Sequence, residues 1–382
     1  MRILTVLTFY HPHWTGLTAI ATRLAEGFVA KGHRVTVLTT RHAPHLSARE
    51  VVGGVDVVRL EPLARLSRGF VTPALPQALN GLLLEHDVVH IHTPLPEAPL
   101  VAALARLRRR PLLMTHQGDL VMPAGLANQA IQNVGTALLH AGGRLATVIS
   151  PLNEDYARHS RFLRPFARKL VPILPPVVIP EPDTDDVRAW REELGLVDAQ
   201  VVGFAGRWVE EKGFDYLLRA LPLLRQTNPR AALLYAGDRA IDYEDFYRRC
   251  EHLIAACGDQ LKFVGLIRDR SRLAAFYSMC DVFALPSRTD SFAAVQVEAM
   301  LSGTPVVAAD IPGARVPVQV TGMGRLVRPR DPPALAAGLR EVLEAPARFR
   351  LPRATVETAF DAEASIERYE ELLARLVSGS RR

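Results

Sequence analysis

The feature that most constrains this chain is a repeated alternation of short apolar runs with amphipathic segments. In the first half, apolar runs typical of buried strands alternate with helix-like periodicity, which is the pattern of a parallel sheet with helices on both faces. The predicted strands of this half cover residues 3–9, 35–39, 55–60, 88–92, 112–115 and 145–150. Its predicted helices cover residues 19–31 and 96–108.

A second alternating set follows residues 171–186, whose many prolines predict a stiff linker. Its predicted strands cover residues 201–205, 231–235, 261–264, 281–285 and 306–309, and its predicted helices cover 214–224 and 292–302. A chain of 382 residues is too long for one ordinary core. We therefore expect two Rossmann-like domains, 1–175 and 176–360, with ligands bound in a cleft beyond the strands' carboxyl ends. The last helix, within 361–382, is expected to pack on the first domain.

Composition narrows the class of protein and its partners. Apolar residues make up 48% and charged residues 23%, as in ordinary globular proteins. No run is long enough to span a bilayer, and the apolar N-terminus lacks a signal-peptide cleavage site, so a cytoplasmic protein is expected. The net charge of +6 favours anionic partners. Without a motif that reads RNA or DNA, we expect nucleotide phosphates or an anionic membrane rather than nucleic acid.

The segments 59–68, 69–71 and 79–84 of the first domain together mix arginines, all of them in 59–68, with apolar residues expected to be exposed. They could lie on an anionic membrane at the inner face of the cell, or form a lid or acceptor loop. The three cysteines have no CxxC spacing and are expected to be packing residues. Acidic residues at 183–186 and 242–245 are explained as a solvated turn and as charge at a helix N-terminus.

An anion site is predicted where the segment GFAGRWVEEKG follows a strand and opens a helix. Gly206 lets the backbone approach a ligand closely, and Arg207 and Lys212 supply charge at a helix N-terminus. Arginine is common in this chain, but lysine occurs only four times, so Lys212 is the more informative residue. A diphosphate fits this arrangement.

A second motif, DSFAAVQVEAMLSGTPVVAAD, runs from Asp290 to Asp310. Within its predicted helix, the neighbours of Glu298 one turn away are small or apolar, so its carboxylate does not lie on a solvated face. An ionised carboxylate in such a place needs hydrogen-bond donors. Glu298 is therefore either a structural carboxylate paired within the chain or an acceptor for hydroxyl groups of a ligand.

The first domain offers weaker candidates. Gly16 precedes a helix in the loop 11–18 and could face the same phosphate. His116 lies at the carboxyl end of a strand, and it is either structural or in contact with substrate. His11 and His13 lack a third ligand at metal-binding spacing, so no metal site is expected. The chain contains no GxxxxGK[ST], which argues against a P-loop enzyme, and no GxGxxG after a strand, which argues against a dehydrogenase.

Together these motifs resemble a GT-B glycosyltransferase of retaining family four, also called glycosyl transferase group one. The resemblance covers nearly the whole chain, and GR-x4-KG followed by an acid, seven residues and Glu298 is its specific part. It implies that Arg207 and Lys212 bind the donor diphosphate, that Glu298 binds the ribose, and that Asp290 lies by the transferred sugar. The expected donor-binding residues are Gly16, Gly206, Arg207, Lys212, Asp290, Ser291, Phe292, Ala293 and Glu298, and the expected catalytic residues are His116, Arg207, Lys212 and Asp290.

The chain departs from the family pattern at two positions. Asp290 stands where glutamate is usual, and Gly16 is followed by Leu17 rather than by a second glycine. The resemblance implies transfer of a hexose from a UDP- or GDP-sugar to a hydroxyl of a sugar, glycan or lipid-linked acceptor, with retention of configuration and without metal. A GT-B-fold nucleotide-sugar 2-epimerase and a non-catalytic nucleotide-sugar binding protein are the alternatives.

Overall fold

The computed structural model describes residues 1–66, 69–122, 125–241 and 243–380, which form two compact units. Unit 1 comprises Met1–Pro176 and Ala362–Arg382, and unit 2 comprises Val177–Asp361. Ser67 and Arg68 of the predicted membrane-contact stretch, and Asp242 of the acidic stretch, lie outside the described residues. None of the helices in the described chain combines the length and apolarity that a bilayer crossing requires.

Unit 1 is built on a seven-stranded sheet in the order β3-β4-β2-β1-β7-β8-β9, and only β3 is antiparallel to its neighbour. A separate hairpin joins β5 and β6. The strands are β1 (Arg2–Val6), β2 (Arg34–Thr40), β3 (Arg49–Val52), β4 (Val55–Leu60), β5 (Ala64–Leu66), β6 (Gly69–Val71), β7 (Val88–Thr93), β8 (Leu112–His116) and β9 (Val148–Pro151). The central strands are buried on both faces, which explains their continuous apolar runs.

The first five helices of unit 1 cover both faces of this sheet. They are α1 (Gly16–Ala30), α2 (Leu75–Glu85), α3 (Ala98–Leu107), α4 (Leu126–Leu145) and α5 (Glu154–His159). Thr15 caps α1 reciprocally with Thr18, so α1 starts earlier than the apolar periodicity predicts. The prediction of a strand from residue 145 is wrong by three residues, because Leu145 ends α4 and β9 begins at Val148.

The segment 79–84 is exposed only in part. It lies in α2, where Leu79 and Leu83 are fully buried in the core of unit 1, whereas Gly81 and Leu84 are exposed. The reason is the helical period, which turns residues four apart toward the same face. The predicted exposure therefore holds for a single leucine of this segment.

Unit 2 contains a six-stranded, wholly parallel sheet in the order β12-β11-β10-β13-β14-β15. Its strands are β10 (Gln200–Ala205), β11 (Ala231–Ala236), β12 (Leu261–Gly265), β13 (Val282–Leu285), β14 (Val306–Ala309) and β15 (Gly324–Val327). The described residues of both units thus have the predicted doubly wound α/β architecture, with parallel strands and helices in alternation.

The helices of unit 2 begin where the proline-rich segment ends. They are α6 (Thr184–Glu193), α7 (Phe214–Thr227), α8 (Phe246–Arg249), α9 (Glu251–Cys257), α10 (Arg270–Ser278), α11 (Ala294–Leu301), α12 (Val316–Thr321), α13 (Pro332–Glu344), α14 (Pro346–Phe349) and α15 (Arg353–Ala359). Asp183 caps α6 through the backbone amides of Asp185 and Asp186, so this acidic cluster is a helix start rather than a solvated turn. Cys250, Cys257 and Cys280 are unpaired and buried.

The last helix, α16 (Ala362–Ser380), belongs to unit 1. It packs on α1, where Gly27 leaves room for Ile366, since a Cβ at residue 27 would lie 2.7 Å from the isoleucine side chain. Lys31 pairs with Glu363 at 2.7 Å, and His33 Nε2 lies 2.8 Å from Glu370 Oε1. Apolar and polar contacts together attach the helix to this unit.

Candidate active site

In both sheets the strand order reverses beside one strand, β1 in unit 1 and β10 in unit 2. Loops at such a reversal diverge and leave a crevice at the carboxyl ends of the strands, where open α/β sheets bind ligands. In unit 2 the reversal lies between the paired strands β10 and β13. The loops that follow these two strands carry Gly206, Arg207 and Lys212 on one side and Asp290 on the other.

A glycine allows these two loops to lie against each other. Gly213 has φ +66° and ends the 3-10 turn Glu210–Lys212 before α7. A Cβ at this position would lie 2.1 Å from the carbonyl oxygen of Pro286, which belongs to the loop after β13. Both the left-handed backbone and the close approach require glycine. The glycine of the sequence motif therefore sets how close the two loops come.

Lys212 and Asp290, separated by 78 residues in the chain, form an ion pair with 2.6 Å between Nζ and Oδ2. The side chains are 25% and 10% exposed, so the pair is largely screened from water. Burial opposes a charged lysine, but the charges of Asp290 and Glu211 and the hydrogen bond to Asp290 together outweigh it and raise the pKa of Lys212. Lys212 therefore stays a cation, and the structure brings together these two predicted site residues.

Arg288 and Asp215, which are not among the predicted site residues, hold the same two loops in register. Arg288 Nη1 donates to Asp215 Oδ1 and Nη2 donates to Oδ2, both at 2.9 Å, and the Arg288 backbone amide donates to the Glu211 carbonyl at 2.7 Å. The guanidinium also lies over the ring of Tyr216 at 4.3 Å. The only signal in the sequence is the position of Arg288 in a loop at the strands' carboxyl edge.

Arg207 lies at the start of the β10 loop, directly after Gly206, whose φ is +154°. Its guanidinium donates to Glu211 Oε1 at 3.2 Å and to the hydroxyl of Tyr243. With 38% of its side chain exposed, Arg207 can reach a ligand without unfolding the loop. The loop after β10 therefore exposes Arg207, which with Lys212 forms the predicted pair of cations.

Glu298 is buried on α11 and is held by two side chains from α10. Arg270 Nη1 donates to Oε1 at 3.1 Å, and the Tyr277 hydroxyl donates to Oε2 at 3.0 Å. Both donors are absent from the predicted site. Burial, and then the charge of Glu298, raise the pKa of Tyr277 well above its ordinary value, so the hydroxyl remains a donor. Glu298 is therefore paired within the chain, which is one of the two interpretations that the sequence left open.

The residues between Asp290 and Glu298 form the start of α11. Ser291 and Phe292 are buried, and Ala293 adopts φ +56° as the N-cap of the helix. No side chain of the described residues caps this helix start, and amide groups at the start of a helix can bind an anion. The helix that the sequence predicts from residue 292 begins two residues later, at Ala294, because Ala293 has a left-handed backbone.

In unit 1, His116 ends β8 and is fully buried. Its Nε2 lies 3.0 Å from Asp119 Oδ1, and its Nδ1 lies 3.0 Å from the hydroxyl of Thr93 at the end of β7. Burial disfavours the Asp119 charge, but hydrogen bonds led by that from His116 outweigh it and lower the Asp119 pKa. Contact between His116 and a sugar would require exchange of one of these hydrogen bonds.

Gly16 is the first residue of α1, and a Cβ there would meet no atom of the described chain within 4 Å. The glycine leaves open space at a helix start, which would admit the close approach of a ligand. The described residues contain no group of three or more His, Cys, Asp or Glu side chains that could hold a metal ion.

Comparison with known proteins agrees with this arrangement. The family model described as "Glycosyl transferases group 1" matches residues 199–345, and the model described as "Glycosyl transferase 4-like domain" matches residues 15–176. D-inositol 3-phosphate glycosyltransferase 1 of Catenulispora acidiphila is 30% identical over 366 residues, which cover 89% of this chain and 85% of the relative. The chain belongs to the group 1 glycosyltransferases.

Two further proteins are similar to this glycosyltransferase along most of its length. A GDP-mannose-dependent alpha-(1-6)-phosphatidylinositol monomannoside mannosyltransferase of Mycolicibacterium smegmatis is 29% identical over 360 residues, covering 90% of this chain and 82% of the relative. The solved structure of Anabaena HepE with UDP and glucose has a TM-score of 0.79 at 21% identity, covering 98% of this chain and all of HepE. This likeness confirms the predicted GT-B fold class.

The glycosyltransferase is therefore an enzyme that transfers a glycosyl group. The alternatives left open by the sequence, a 2-epimerase and a non-catalytic binding protein, are not favoured, because the matched families and the curated relatives are glycosyltransferases.

Proposed function

We propose that this glycosyltransferase moves a hexose from a UDP- or GDP-sugar to the hydroxyl of a sugar, glycan or lipid-linked acceptor, with retention and without a metal ion. The mycobacterial relative is named for its dependence on GDP-mannose, and the Anabaena neighbour was solved with UDP and glucose. The observation that carries the proposal is the meeting of Lys212 and Asp290 at the strand reversal of unit 2, beside the start of the helix that bears Glu298.

The donor diphosphate is proposed to bind to the loops after β10 and β13. Lys212 is a cation in a largely buried place, Arg207 is half exposed beside it, and the start of α11 offers amide groups to an anion. A diphosphate would compete with Asp290 for the Lys212 ammonium. Cations and amide groups placed before the reaction stabilise the charge that develops on the leaving diphosphate, which is the role a metal ion has in other transferases.

The donor ribose is proposed to bind to Glu298. A carboxylate accepts up to about four hydrogen bonds, and a vicinal diol needs two acceptor sites. Arg270 and Tyr277 donate one bond each from the α10 side and fix the orientation of the carboxylate. The same pairing that satisfies the buried charge thus positions it for a ligand.

Asp290 of unit 2 is proposed to contact the transferred sugar. In unit 1, His116 is proposed as a substrate-contacting residue, and Gly16 is proposed to leave room for a ligand at the start of α1. Asp290 is one methylene shorter than glutamate, and its partner Lys212 can shift to the phosphate when the donor binds. In a front-face reaction the leaving phosphate oxygen accepts the proton of the acceptor hydroxyl. No separate general base is then needed, and retention follows.

A thermal-shift series with UDP, GDP, ADP and their sugars tests donor binding. Binding to the folded state raises the unfolding temperature, so the preferred nucleotide should give the largest shift. Lys212→Ala and Glu298→Gln should lose that shift. Two control variants should keep the shift. Lys262→Ala changes the only other lysine of unit 2, and Glu341→Gln changes a carboxylate on α13 that is paired with Arg325. An unchanged shift in both site variants would contradict the proposed donor site.

The stereochemistry and the metal requirement need a product assay. With the donor and a panel of acceptors, NMR of the first product should give the same anomeric configuration as the donor, and EDTA should leave the rate unchanged. An inverted product would disprove the front-face reaction. Loss of turnover with EDTA, restored by a divalent ion, would disprove metal independence.

A further inference from the structure

Unit 1 contains a pocket at the point where its strand order reverses beside β1. The pocket is formed by the carboxyl ends of β1, β2 and β4, by the turn after β7 and by the segment that leads into α2. Open α/β sheets bind ligands at such a reversal. None of the residues that line the pocket belongs to the donor site proposed above, so no ligand is yet assigned to it.

The lining of the pocket is apolar apart from four threonines and one acid. Six of the eleven lining residues are leucine or valine, and the polar ones are Thr8, Thr39, Thr40, Thr72 and Glu97. Thr39 Oγ1 donates to the Thr8 carbonyl oxygen at 3.0 Å, and the Thr40 backbone amide donates to the same oxygen at 3.2 Å. Among the described residues that line the pocket, Glu97 has the only charged side chain. The pocket therefore combines hydroxyl groups and one carboxyl group with apolar walls.

Two side-chain oxygens of the pocket are buried without a hydrogen-bond partner in the described chain, Glu97 Oε2 and Thr72 Oγ1. The backbone carbonyls of both residues are engaged, since that of Thr72 accepts from the Leu75 amide and that of Glu97 accepts from the Val101 amide, both at 3.0 Å. Glu97 precedes α3, but its side chain does not cap the helix. A buried polar oxygen without a partner costs free energy. Helix capping therefore does not explain why these two side chains lie here.

The size and charge of the pocket limit what can bind there. The cavity has a volume of about 20 Å³, which holds one water molecule or one hydroxyl group. Burial raises the pKa of Glu97, and the effect that opposes this rise is a hydrogen bond from its own backbone amide rather than a nearby cation. A phosphate or carboxylate group of a ligand would therefore lie beside Glu97 with no lysine or arginine of the lining to offset the repulsion. A neutral hydroxyl group fits both the volume and the charge.

We infer that Glu97 and Thr72 bind a hydroxyl group of the acceptor and select acceptors that are uncharged at this position. The inference rests on the proposed transfer of a hexose to an acceptor hydroxyl. The bound hydroxyl group donates to Glu97 Oε2 and accepts from the Thr72 hydroxyl, so both unpaired oxygens gain a partner. It serves recognition rather than reaction, because the proton of the reacting hydroxyl passes to the leaving phosphate. Glu97 and Thr72 are therefore specificity-determining residues.

Steady-state kinetics with pairs of acceptors test the inference. The donor is the nucleotide sugar that gives the largest thermal shift, and the acceptors are glucose, mannose, myo-inositol and octyl mannoside, the first three also as monophosphates. The parent protein should prefer the neutral member of each pair. Glu97→Ala should raise the KM for neutral acceptors by roughly tenfold or more, and Thr72→Val by roughly threefold, because a hydrogen bond to a charged group contributes more than one to a neutral group. The kcat and the KM for the donor should stay the same.

The contribution of the charge is measured with Glu97→Gln, which keeps the shape of the side chain. The preference for neutral over phosphorylated acceptors should fall, because the charge that opposes a phosphate is gone. The unfolding temperature should not fall, because Glu97 Oε2 has no partner to lose. Glu85→Gln, at an exposed residue of α2, is the matched control and should behave as the parent protein does. An unchanged thermal shift with the nucleotide shows that each variant keeps the donor site.

Three results would overturn the inference while leaving the proposed function intact. Acceptor kinetics like those of the parent protein in both Glu97→Ala and Thr72→Val would assign the pocket to a structural water molecule. Better use of the phosphorylated acceptors by the parent protein would contradict selection by charge, and preference for glucosamine over glucose would assign the pocket to an ammonium group. Transfer by the parent protein to none of the acceptors would contradict the proposed function itself, and the inference with it.

Discussion

Replacing Tyr277 by phenylalanine tests how the glycosyltransferase holds Glu298. The change removes one oxygen atom and keeps the ring, which packs edge-to-face against Phe276 and Phe283 with centroids 5.4 Å away. The hydroxyl is fully buried and donates to Glu298 Oε2 at 3.0 Å. The substitution therefore removes a single charge-assisted hydrogen bond without creating a large cavity.

The size of the effect follows from the charge and burial of the acceptor. Hydrogen bonds to charged groups contribute about 1.5–3 kcal/mol, and the buried carboxylate would lose one of its donors. At roughly 2–4 °C per kcal/mol for a domain of this size, the unfolding temperature of the ligand-free protein should fall clearly. Glu298 keeps the donor Arg270, so the protein should still fold.

The effect on binding separates a positioning role from a structural one. If Tyr277 orients Glu298 for the ribose, affinity for the preferred nucleoside diphosphate should fall by roughly tenfold, the equivalent of 1.4 kcal/mol. Affinity for inorganic pyrophosphate, which has no ribose, should stay the same. Isothermal titration calorimetry of both ligands measures the difference.

Tyr369→Phe is the matched control. Tyr369 is also fully buried, and its hydroxyl accepts a hydrogen bond from Ser150 at 3.3 Å in unit 1. Its loss should lower stability and leave both affinities unchanged. One contrary result is that Tyr277→Phe weakens the binding of pyrophosphate and of the nucleotide equally, and the other is that it leaves both affinities unchanged. Either result would refute the role of Tyr277 in orienting Glu298 for the ribose.

Two further predictions concern stability. Gly213→Ala would place a Cβ 2.1 Å from the Pro286 carbonyl oxygen and strain a left-handed backbone. It should therefore lower the unfolding free energy by about 2 kcal/mol or more and remove the nucleotide-induced thermal shift. A variant with the stability and thermal shift of the parent protein would contradict the contact between the two loops. His90 and His92 are buried, and burial lowers the pKa of His90 to about 3 and that of His92 well below 6.5. Because the unfolded chain takes up these protons first, the unfolding free energy should fall as pH drops below about 6.5, by about 1.4 kcal/mol per pH unit for each histidine. Urea unfolding across this range should give a weaker pH dependence for the double glutamine variant, and an equal slope would disprove the assignment.

The elements that the sequence predicts well are those with local signals. The six strands of unit 2 include five that were expected from short apolar runs, and β10 begins one residue before its predicted start. Helix starts were harder to place where a side-chain cap or a left-handed residue decides them. Thr15 advances α1 and Ala293 delays α11, and neither effect is part of hydrophobic periodicity.

The elements that were missed have weak or ambiguous periodicity. The edge strand β3 and the hairpin of β5 and β6 are short and partly exposed, so they have little apolar pattern. The helix α4 contains three glycines and carries most of its large apolar side chains on its exposed face, so neither helix propensity nor the expectation of an apolar buried face indicates it. Its 20 residues separate β8 from β9 and explain why the strand predicted from residue 145 starts too early.

The sequence by itself determined the residue types of the candidate site and their places after strands, because strand ends, glycines and helix starts are local features. Only the tertiary structure decided the partners. The pairing of β10 with β13 brings Lys212 to Asp290 across 78 residues, and the packing of α10 on α11 gives Glu298 its tyrosine and arginine. Such contacts depend on which strands and helices become neighbours, and no local pattern in the chain carries that information.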